Sequence, residues 1–436
     1  MEKSMAILIK NGRVVDPSAD RDQIMDVLIE DGRIKKVAEH IAEDGTEIID
    51  ANKCLIMPGF IDLHVHLRDP GLTHKETLSS GAAAAARGGY TTICAMPNTK
   101  PVVDTPELVK EIHERAKTEA KVHVYQIGAI TMGQEGKELV DLPAMAQAGA
   151  PAFSEDGKSV MDICLYEKAM EQAAALQAPI FAHCEDKQLV GKGAIQKGAK
   201  AEELGVEGIS NAVEDIITAR DIFLAKETGV QLHLCHCSTK DSVTMIREGK
   251  KAGVNLSAEV CPHHFTLTVD DIPGEDTNYK MNPPLRNKED VEALKQGLKE
   301  GVIEVISTDH APHHADEKAK GMAEAPFGIV GLETAAALTY TELVETGILT
   351  PMQMAACMSY NPAGVLKSDR GSLQEGRPAD VVIFDPEAQY TIDKNDFASM
   401  GRNTPFHGRK VKGRVITTIV DGEIVYRMDK EENRHD

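Results

Sequence analysis

The segment Phe60-Ile-Asp-Leu-His-Val-His-Leu-Arg-Asp69 sets His64 and His66 two residues apart at the end of an alternating apolar run, with Arg68 two residues further on. Side chains two apart on an extended strand project from the same face. Both imidazoles can therefore close on one metal ion, and Arg68 continues their file into the loop as a fixed cation suited to a carboxylate. Four more ligand-type residues end or follow other apolar runs: Asp156, His183, His236 and Asp309. One catalytic zinc takes about three protein ligands and keeps a position open for water, so six candidates exceed the needs of a single ion. The set reads as a two-metal centre. A carboxylate can bridge two ions with its two oxygens; Asp156 is assigned that place, and Asp309 would ligate one ion while its second oxygen faces the water.

Each candidate has a plainer reading. A lone histidine ending a strand is more often a hydrogen-bonded core residue than a ligand, and it is the gathering of six that argues otherwise. Cys235-His236-Cys237 offers competing sulfur ligands, but alternation points both cysteines, and His233, away from the His236 side, as packing residues. His263 and His264 in Cys261-Pro-His-His264 could ligate or could only hydrogen-bond neighbouring loops. In Thr308-Asp-His-Ala-Pro-His313, Pro312 stiffens a turn that could present His313 to a substrate. Glu155 and Lys158 read as solvated or supporting neighbours of Asp156.

The elements that must carry these residues fall into two styles. Residues 5–57 are short apolar runs broken by Asn11-Gly12 and Asp31-Gly32, dipeptides that favour tight hairpins. The far end repeats the style, with Asp380–Phe384, Ile416–Val420, Asp421-Gly422 and Glu423–Tyr426, which suggests one β-sandwich assembled from both termini. Between them lie eight strand candidates: Phe60–His66, Thr91–Met96, Val122–Ile127, Ala150–Ser154, Pro179–His183, Gln231–His236, Val254–Val260 and Val302–Asp309. Helical stretches separate most of them, among them Lys75–Arg87, Pro106–Ala120, Gly157–Gln177, Asn211–Thr228 and Lys288–Glu300. The pattern predicts an α/β chain: a (β/α)₈ TIM-like barrel over residues 58–364, and a small sandwich from residues 1–57 with 365–436. Polar residues gather at the C-terminal ends of the strands, the face that carries the active site in such barrels.

Composition sets the outer bounds. The 436 residues exceed the usual size of one hydrophobic core, and 42% hydrophobic content supports globular packing. A net charge of −21 repels nucleic-acid phosphate and anionic lipid. An anionic substrate therefore needs a local basic pocket. Met1–Ile9 holds one lysine and a short apolar stretch, and no segment reaches the ~20 apolar residues needed to span a bilayer. The expectation is a cytoplasmic protein with no nucleic-acid or membrane partner, its eight cysteines reduced and mostly buried.

Taken together, Pro58–Arg68, Met96-Pro-Asn-Thr99, Phe153-Ser-Glu-Asp-Gly157, Ala182-His-Cys184, Cys235-His236, Met281-Asn-Pro-Pro-Leu-Arg286, Ser307–His313 and Pro326-Phe-Gly328 resemble the dihydroorotases of the amidohydrolase superfamily, in particular the bacterial class I form. The resemblance covers nearly the whole chain; Arg68 with Asn98 and Asn282 narrows it. Hydantoinases, dihydropyrimidinases and allantoinases bridge their metals with a carboxylated lysine after the fourth strand. Here Ser154 follows Phe153, and Asp156 occupies the bridging place of the class I motif, with Lys158 as a lesser alternative. The resemblance implies two zinc ions per subunit on His64, His66, Asp156, His183, His236 and Asp309. It implies reversible hydrolysis of dihydroorotate to N-carbamoyl-L-aspartate, the third step of pyrimidine synthesis. A metal-bridging hydroxide would attack the ring carbonyl, with Asp309 as general base and then acid. Arg68, Asn98 and His313 match the carboxylate-binding positions; Asn282, Phe327 and Gly328 match the ring edge, and His66 faces the substrate as well. A homodimer is the family expectation. The polar stretch Ala315–Ala325 reads as a mobile cover. Two rival readings remain: a hydantoinase- or dihydropyrimidinase-like cyclic amidohydrolase, and a non-catalytic homologue serving as a partner of aspartate transcarbamoylase.

Overall fold

The computed structural model describes residues 6–42 and 46–428. The outermost parts of the expected sandwich segments, including the start of Met1–Ile9, lie outside the described residues. The chain opens with β1 (Ile7–Asp16), β2 (Arg21–Glu30), β3 (Arg33–Ala38), β4 (Glu47–Asp50) and β5 (Leu55–Pro58). It then enters an alternation of strands and helices with β6 (Phe60–Val65), β7 (Tyr90–Ala95), β8 (His123–Gln126), β9 (Gly128–Ala129), β10 (Phe153–Ser154) and β11 (Ile180–Ala182). A side ribbon of β12 (Ile195–Gln196) and β13 (Gly208–Ile209) precedes β14 (Leu232–Leu234), β15 (Leu256–Val260) and β16 (Val305–Ile306). The chain closes with β17 (Val381–Thr391), β18 (Lys410–Val420) and β19 (Glu423–Arg427).

The middle strands form the expected barrel. β6, β7 and β8 pair in parallel, and β9, β10, β11, β14, β15 and β16 form a second parallel run. β8 and β9 are one barrel strand interrupted at Ile127, whose N–H donates to the Ala95 carbonyl and joins the two runs. The ring closes where Val65 bridges His310 in parallel. Every residue of β6 and β7 is buried, as a parallel strand covered on both faces requires. The helices follow local rules: Thr77 caps Leu78–Arg87 through Ser80, and Thr105 with Pro106 opens Pro106–Glu119. One expected helix starts later. Gly157 takes φ +77 in the loop that carries Asp156, so the helix begins at Ile163, with Asp162 capping it.

Both ends of the chain share one hydrogen-bonded sheet, ordered β19-β18-β17-β5-β1-β2-β3, with β4 also on β1. Val27, Ile29 and Ile34 at one end of that order pack in one core with Val381, Ile383 and Ile419 at the other. The sheet therefore folds over on itself, and Arg33 and Pro378 bridge across the seam. Asp31-Gly32 and Asp421-Gly422 make the expected tight turns, all four residues at positive φ. Asn11-Gly12 does not: it is a bulge inside β1, where the strand changes parallel partner from β4 to β5.

The loop after β6 is held from several sides. Arg115 grips Asp69 with two hydrogen bonds of 2.9 and 2.8 Å, and Lys100 N–H donates to the Pro70 carbonyl at 3.1 Å. Gly71 takes φ +83, and a Cβ there would lie 1.6 Å from the Lys100 carbonyl oxygen. This close approach locks the loop bearing Arg68 to the loop that follows Asn98. Gly71→Ala is expected to cost about 2–3 kcal/mol through strain and clash, read as a lowered denaturant midpoint. An unchanged midpoint would show that the two loops can separate freely.

Candidate metal centre and substrate pocket

The six expected ligands converge at the C-terminal mouth of the barrel, all nine-tenths or more buried. Asp156 lies at the middle. Its Oδ1 is 3.2 Å from His64 Nε2, 3.5 Å from His183 Nδ1 and 3.7 Å from His236 Nε2, while its Oδ2 is 3.4 Å from His66 Nε2. Asp309 Oδ1 is 3.0 Å from His66 Nε2 and 3.5 Å from His64 Nε2. His183 Nδ1 and His236 Nε2 approach to 2.8 Å. Two groups of ligand atoms thus form, His64 with His66 and Asp309, and His64 with Asp156 and His236.

Protonation logic tests whether this cluster suits a metal. His64 Nδ1 donates to Glu259 Oε1 at 2.9 Å, and His66 Nδ1 donates to Asn98 Oδ1 at 2.9 Å. A ring held neutral in this way turns the lone pair of Nε2 toward carboxylate oxygens, which repels unless a proton or a metal cation sits between them. His64 Nε2, Asp156 Oδ1 and His183 Nε2 are buried without a hydrogen-bond partner. Orphaned acceptors of nitrogen and oxygen type, in a closed site, fit divalent ions. Burial alone would raise both carboxyls, yet positive charge on the surrounding imidazoles holds Asp156 and Asp309 below the ordinary carboxylate range, so the cluster calls for positive charge between rings and carboxylates, as protons or as a metal ion.

Local backbone strain aims these groups. Arg68, His236 and Asp309 all take positive φ, at 59°, 35° and 50°. Each stands just beyond its strand, where the chain turns sharply to face the mouth. The turn also corrects the alternation argument for Cys235. β14 ends at Leu234, and Cys235 comes beside His64 and Glu259. Cys237 points elsewhere, toward the Leu234 carbonyl.

Glu259, on β15, went unnoticed in the sequence, and it organises the floor. It accepts from His64 Nδ1, from the His236 backbone N–H at 3.2 Å, from His233 Nε2 at 3.0 Å and from Ser307 Oγ at 2.6 Å. His233 is therefore part of the support, not mere packing. Asp62 does the same between β6 and β16, accepting from His64 N–H at 3.0 Å and Thr308 Oγ1 at 2.6 Å. Burial pushes the Asp62 carboxyl up to about 7. The signal for both was a single carboxylate within a mostly apolar strand. Glu155 is buried, not solvated, and accepts from Ile130 and Thr131 backbone N–H. Lys158 is turned away, with Nζ on the Gln134 carbonyl. His264 Nε2 donates to the Pro283 carbonyl at 2.8 Å, so this ring serves the neighbouring loop.

The expected substrate residues line one side of the cluster. Arg68 Nη2 lies 3.2 Å from His313 Nε2, and Arg68 Nε donates to the Pro312 carbonyl. Lys75 Nζ approaches His313 Nδ1 at 3.3 Å, which leaves Nε2–H to donate to the Phe327 carbonyl at 2.7 Å. Burial, with Arg68 and Lys75 alongside, pushes His313 down to about 2, so the ring is neutral. Asn98 spans His66 and Asp156, and Asn282 donates to Glu185, which lies 3.8 Å from His183. Gly328 takes φ +133, and a Cβ there would meet Ala311 and His313. The stretch 315–325, expected to be a mobile cover, contains two short helices, Ala315–Lys318 and Gly321–Glu324.

Comparison with known proteins resolves the family. A Dihydro-orotase-like family model matches residues 53–242. A dihydroorotase of Bacillus cereus is 48% identical over 425 residues, covering 98% of this chain and 99% of that protein. The chain belongs to the dihydroorotase family. A dihydroorotase of Bacillus cytotoxicus is 47% identical over the same coverage. Among solved structures, an L-hydantoinase (dihydropyrimidinase) from Arthrobacter aurescens superposes with a TM-score of 0.88 at 26% identity, over 97% of this chain and 96% of that one. A dihydropyrimidinase from Brevibacillus agri gives 0.85 at 25%, over 97% and 95%. The family shares the barrel-and-sandwich architecture of these cyclic-amide hydrolases and, with it, a metal centre.

Glu259 gives this site its sharpest test. Glu259→Gln keeps the shape but weakens the acceptor behind His64, and metal retention is expected to fall about 10- to 100-fold. Metal analysis after dialysis against graded chelator measures it; wild-type retention would reduce Glu259 to a packing role.

Proposed function

We propose that this chain hydrolyses dihydroorotate reversibly to N-carbamoyl-L-aspartate, in the manner of a class I bacterial dihydroorotase, with two zinc ions per subunit. The observation that carries the reading is the guanidinium of Arg68 beside His313 at the edge of the carboxylate–imidazole cluster. A carboxylate-bearing ring needs such a place in a chain of net charge −21. Full-length relatives named dihydroorotase support it.

His64, His66 and Asp309 would hold one ion, His183 and His236 the other, with Asp156 between them. Such ions lower the pKa of water toward neutrality and polarise a carbonyl. Asp309 has Oδ1 against the two histidines, and its Oδ2 is the oxygen we assign to the proton. In hydrolysis the ring C–N bond breaks and the water oxygen joins the carbonyl carbon. The water proton passes through Asp309 to the departing nitrogen, which becomes the carbamoyl NH₂. Arg68, Asn98 and His313 bind the substrate carboxylate. His66, Asn282 and the backbone at Phe327 and Gly328 bind the ring edge and set the carbonyl against Asp309.

With this reading go a barrel of residues 58–364, a sandwich of 1–57 with 365–436, a cytoplasmic location and a homodimer. β5, paired with both β1 and β17, supports the division. Association with aspartate transcarbamoylase belongs to the same pathway reading. The hydantoinase alternative draws on the structural neighbours, and Arg68 separates the two. Arg68→Ala should lower kcat/KM for dihydroorotate roughly 30- to 200-fold, the loss of about 2–3 kcal/mol from a charge-assisted contact. Turnover of a neutral hydantoin ring would not fall. The decisive assay is ring opening of dihydroorotate by the zinc-loaded chain alongside metal analysis. A fully loaded protein without turnover would overturn the assignment, and chelation should abolish activity until zinc is returned.

A further inference from the structure

We infer that Lys318, which lies outside the ligand cluster, is a positioning residue for the Pro326–Gly328 turn. The inference rests on the assignment of that turn to the ring edge of the substrate.

Lys318 ends the short helix that follows His313 and His314, and it is 6% exposed. Its Nζ donates to three backbone carbonyls: Pro326 at 3.0 Å, Gly328 at 3.0 Å and Lys280 at 3.2 Å. An ammonium has three N–H groups, and this geometry uses all of them. Among the described residues no carboxylate hydrogen-bonds this ammonium: neighbouring Glu317 pairs with Lys75 at 2.9 Å, and Asp276 acts on it only through its charge. A lysine buried against dipoles alone is costly, and burial together with nearby Lys280 pulls it down to about 7. Such an arrangement is a poor stabiliser and a good clamp.

The clamp has a defined object. Between the two carbonyls that Lys318 holds lies Phe327, whose own carbonyl accepts from His313 Nε2. Lys280 reinforces the turn: its carbonyl accepts from Gly328 N–H at 3.0 Å, and its Nζ stands 4.6 Å from the Phe327 ring centroid. From the opposite side, Asn403 Nδ2 donates to the Gly328 and Ala311 carbonyls at 3.0 Å, and its Oδ1 accepts from His313 N–H at 3.1 Å. Lys318 and Asn403 thus grip the same Gly328 oxygen. Between them they set the distance from the turn to His313.

The test uses the full chain loaded with zinc and Lys318→Met, which keeps length and apolar stem but removes the donors. Two readouts are taken, amide hydrogen exchange at Phe327 and Gly328 and steady-state kinetics with dihydroorotate. Exchange should quicken about tenfold and KM rise about tenfold, with metal content unchanged and kcat little altered. Faster exchange with an unchanged KM would make Lys318 a structural residue only, and unchanged exchange would remove the clamp altogether; either overturns the inference. If Lys318→Met fails to fold, Lys318→Gln, a shorter neutral side chain that cannot reach all three carbonyls, is expected to show the same two effects in smaller measure and decides by the same criteria. A wild-type chain without dihydroorotate turnover would overturn the functional assignment, and the exchange comparison would still decide whether Lys318 holds the turn.

Discussion

Asp156 brings two carboxylate oxygens among four imidazoles in a volume almost closed to water, where any neutral ring turns a lone pair toward it. In so low a dielectric, an unscreened contact of that kind costs far more than ordinary packing returns. Cations between the rings and the carboxylates reverse the sign of the whole interaction. The remaining features follow from that need: acceptors behind the rings that fix each tautomer, strained backbone that aims Arg68, His236 and Asp309, and a barrel rigid enough to bear the strain.

The supporting layer shows how the strain is borne. Glu259 holds the His64 ring and the backbone N–H of His236 at once, so two strands on opposite sides of a ligand pair answer to one carboxylate. Asp62 links the strand of His64 to Thr308, immediately before Asp309. Neither is exposed, and each is saturated with donors. The metal-facing atoms are thereby fixed relative to one another before any ion arrives, which lowers the reorganisation that binding would otherwise require.

Much of this was legible in the order of residues. The His64–His66 pair, the polar residues closing six of the eight apolar runs and the turn-rich ends carry periodicity information, and periodicity is what a strand barrel obeys. Legibility fails where local geometry departs from periodicity. Asn11-Gly12 has hairpin chemistry, yet β1 needs a bulge there to trade β4 for β5. Cys235 escapes alternation because its strand has already ended. Glu259, Asp62 and His233 gain their roles only from contacts distant in sequence, which no single-strand pattern encodes. The stretch 315–325 reads as a loose cover by composition, but Lys318 bends its charge inward to backbone oxygens.

The terminal sheet matters to the chemistry through the segment between β17 and β18. Ser399 Oγ and Met400 N–H both donate to Glu76, and Glu76 Oε2 lies 3.2 Å from His310 Nε2, the residue after Asp309. His310 Nδ1 in turn accepts from Gly331 N–H, and Asn403 ties His313 to Gly328. The loop after the last barrel strand is thus anchored at His310 and again at His313 by a segment that returns from the far end of the chain. A barrel alone would leave that loop without these anchors. Building the second layer from both termini makes the positions of Asp309 and His313 depend on one another, and a reaction that must hold a ring carboxylate and a ring carbonyl at fixed separation needs that dependence.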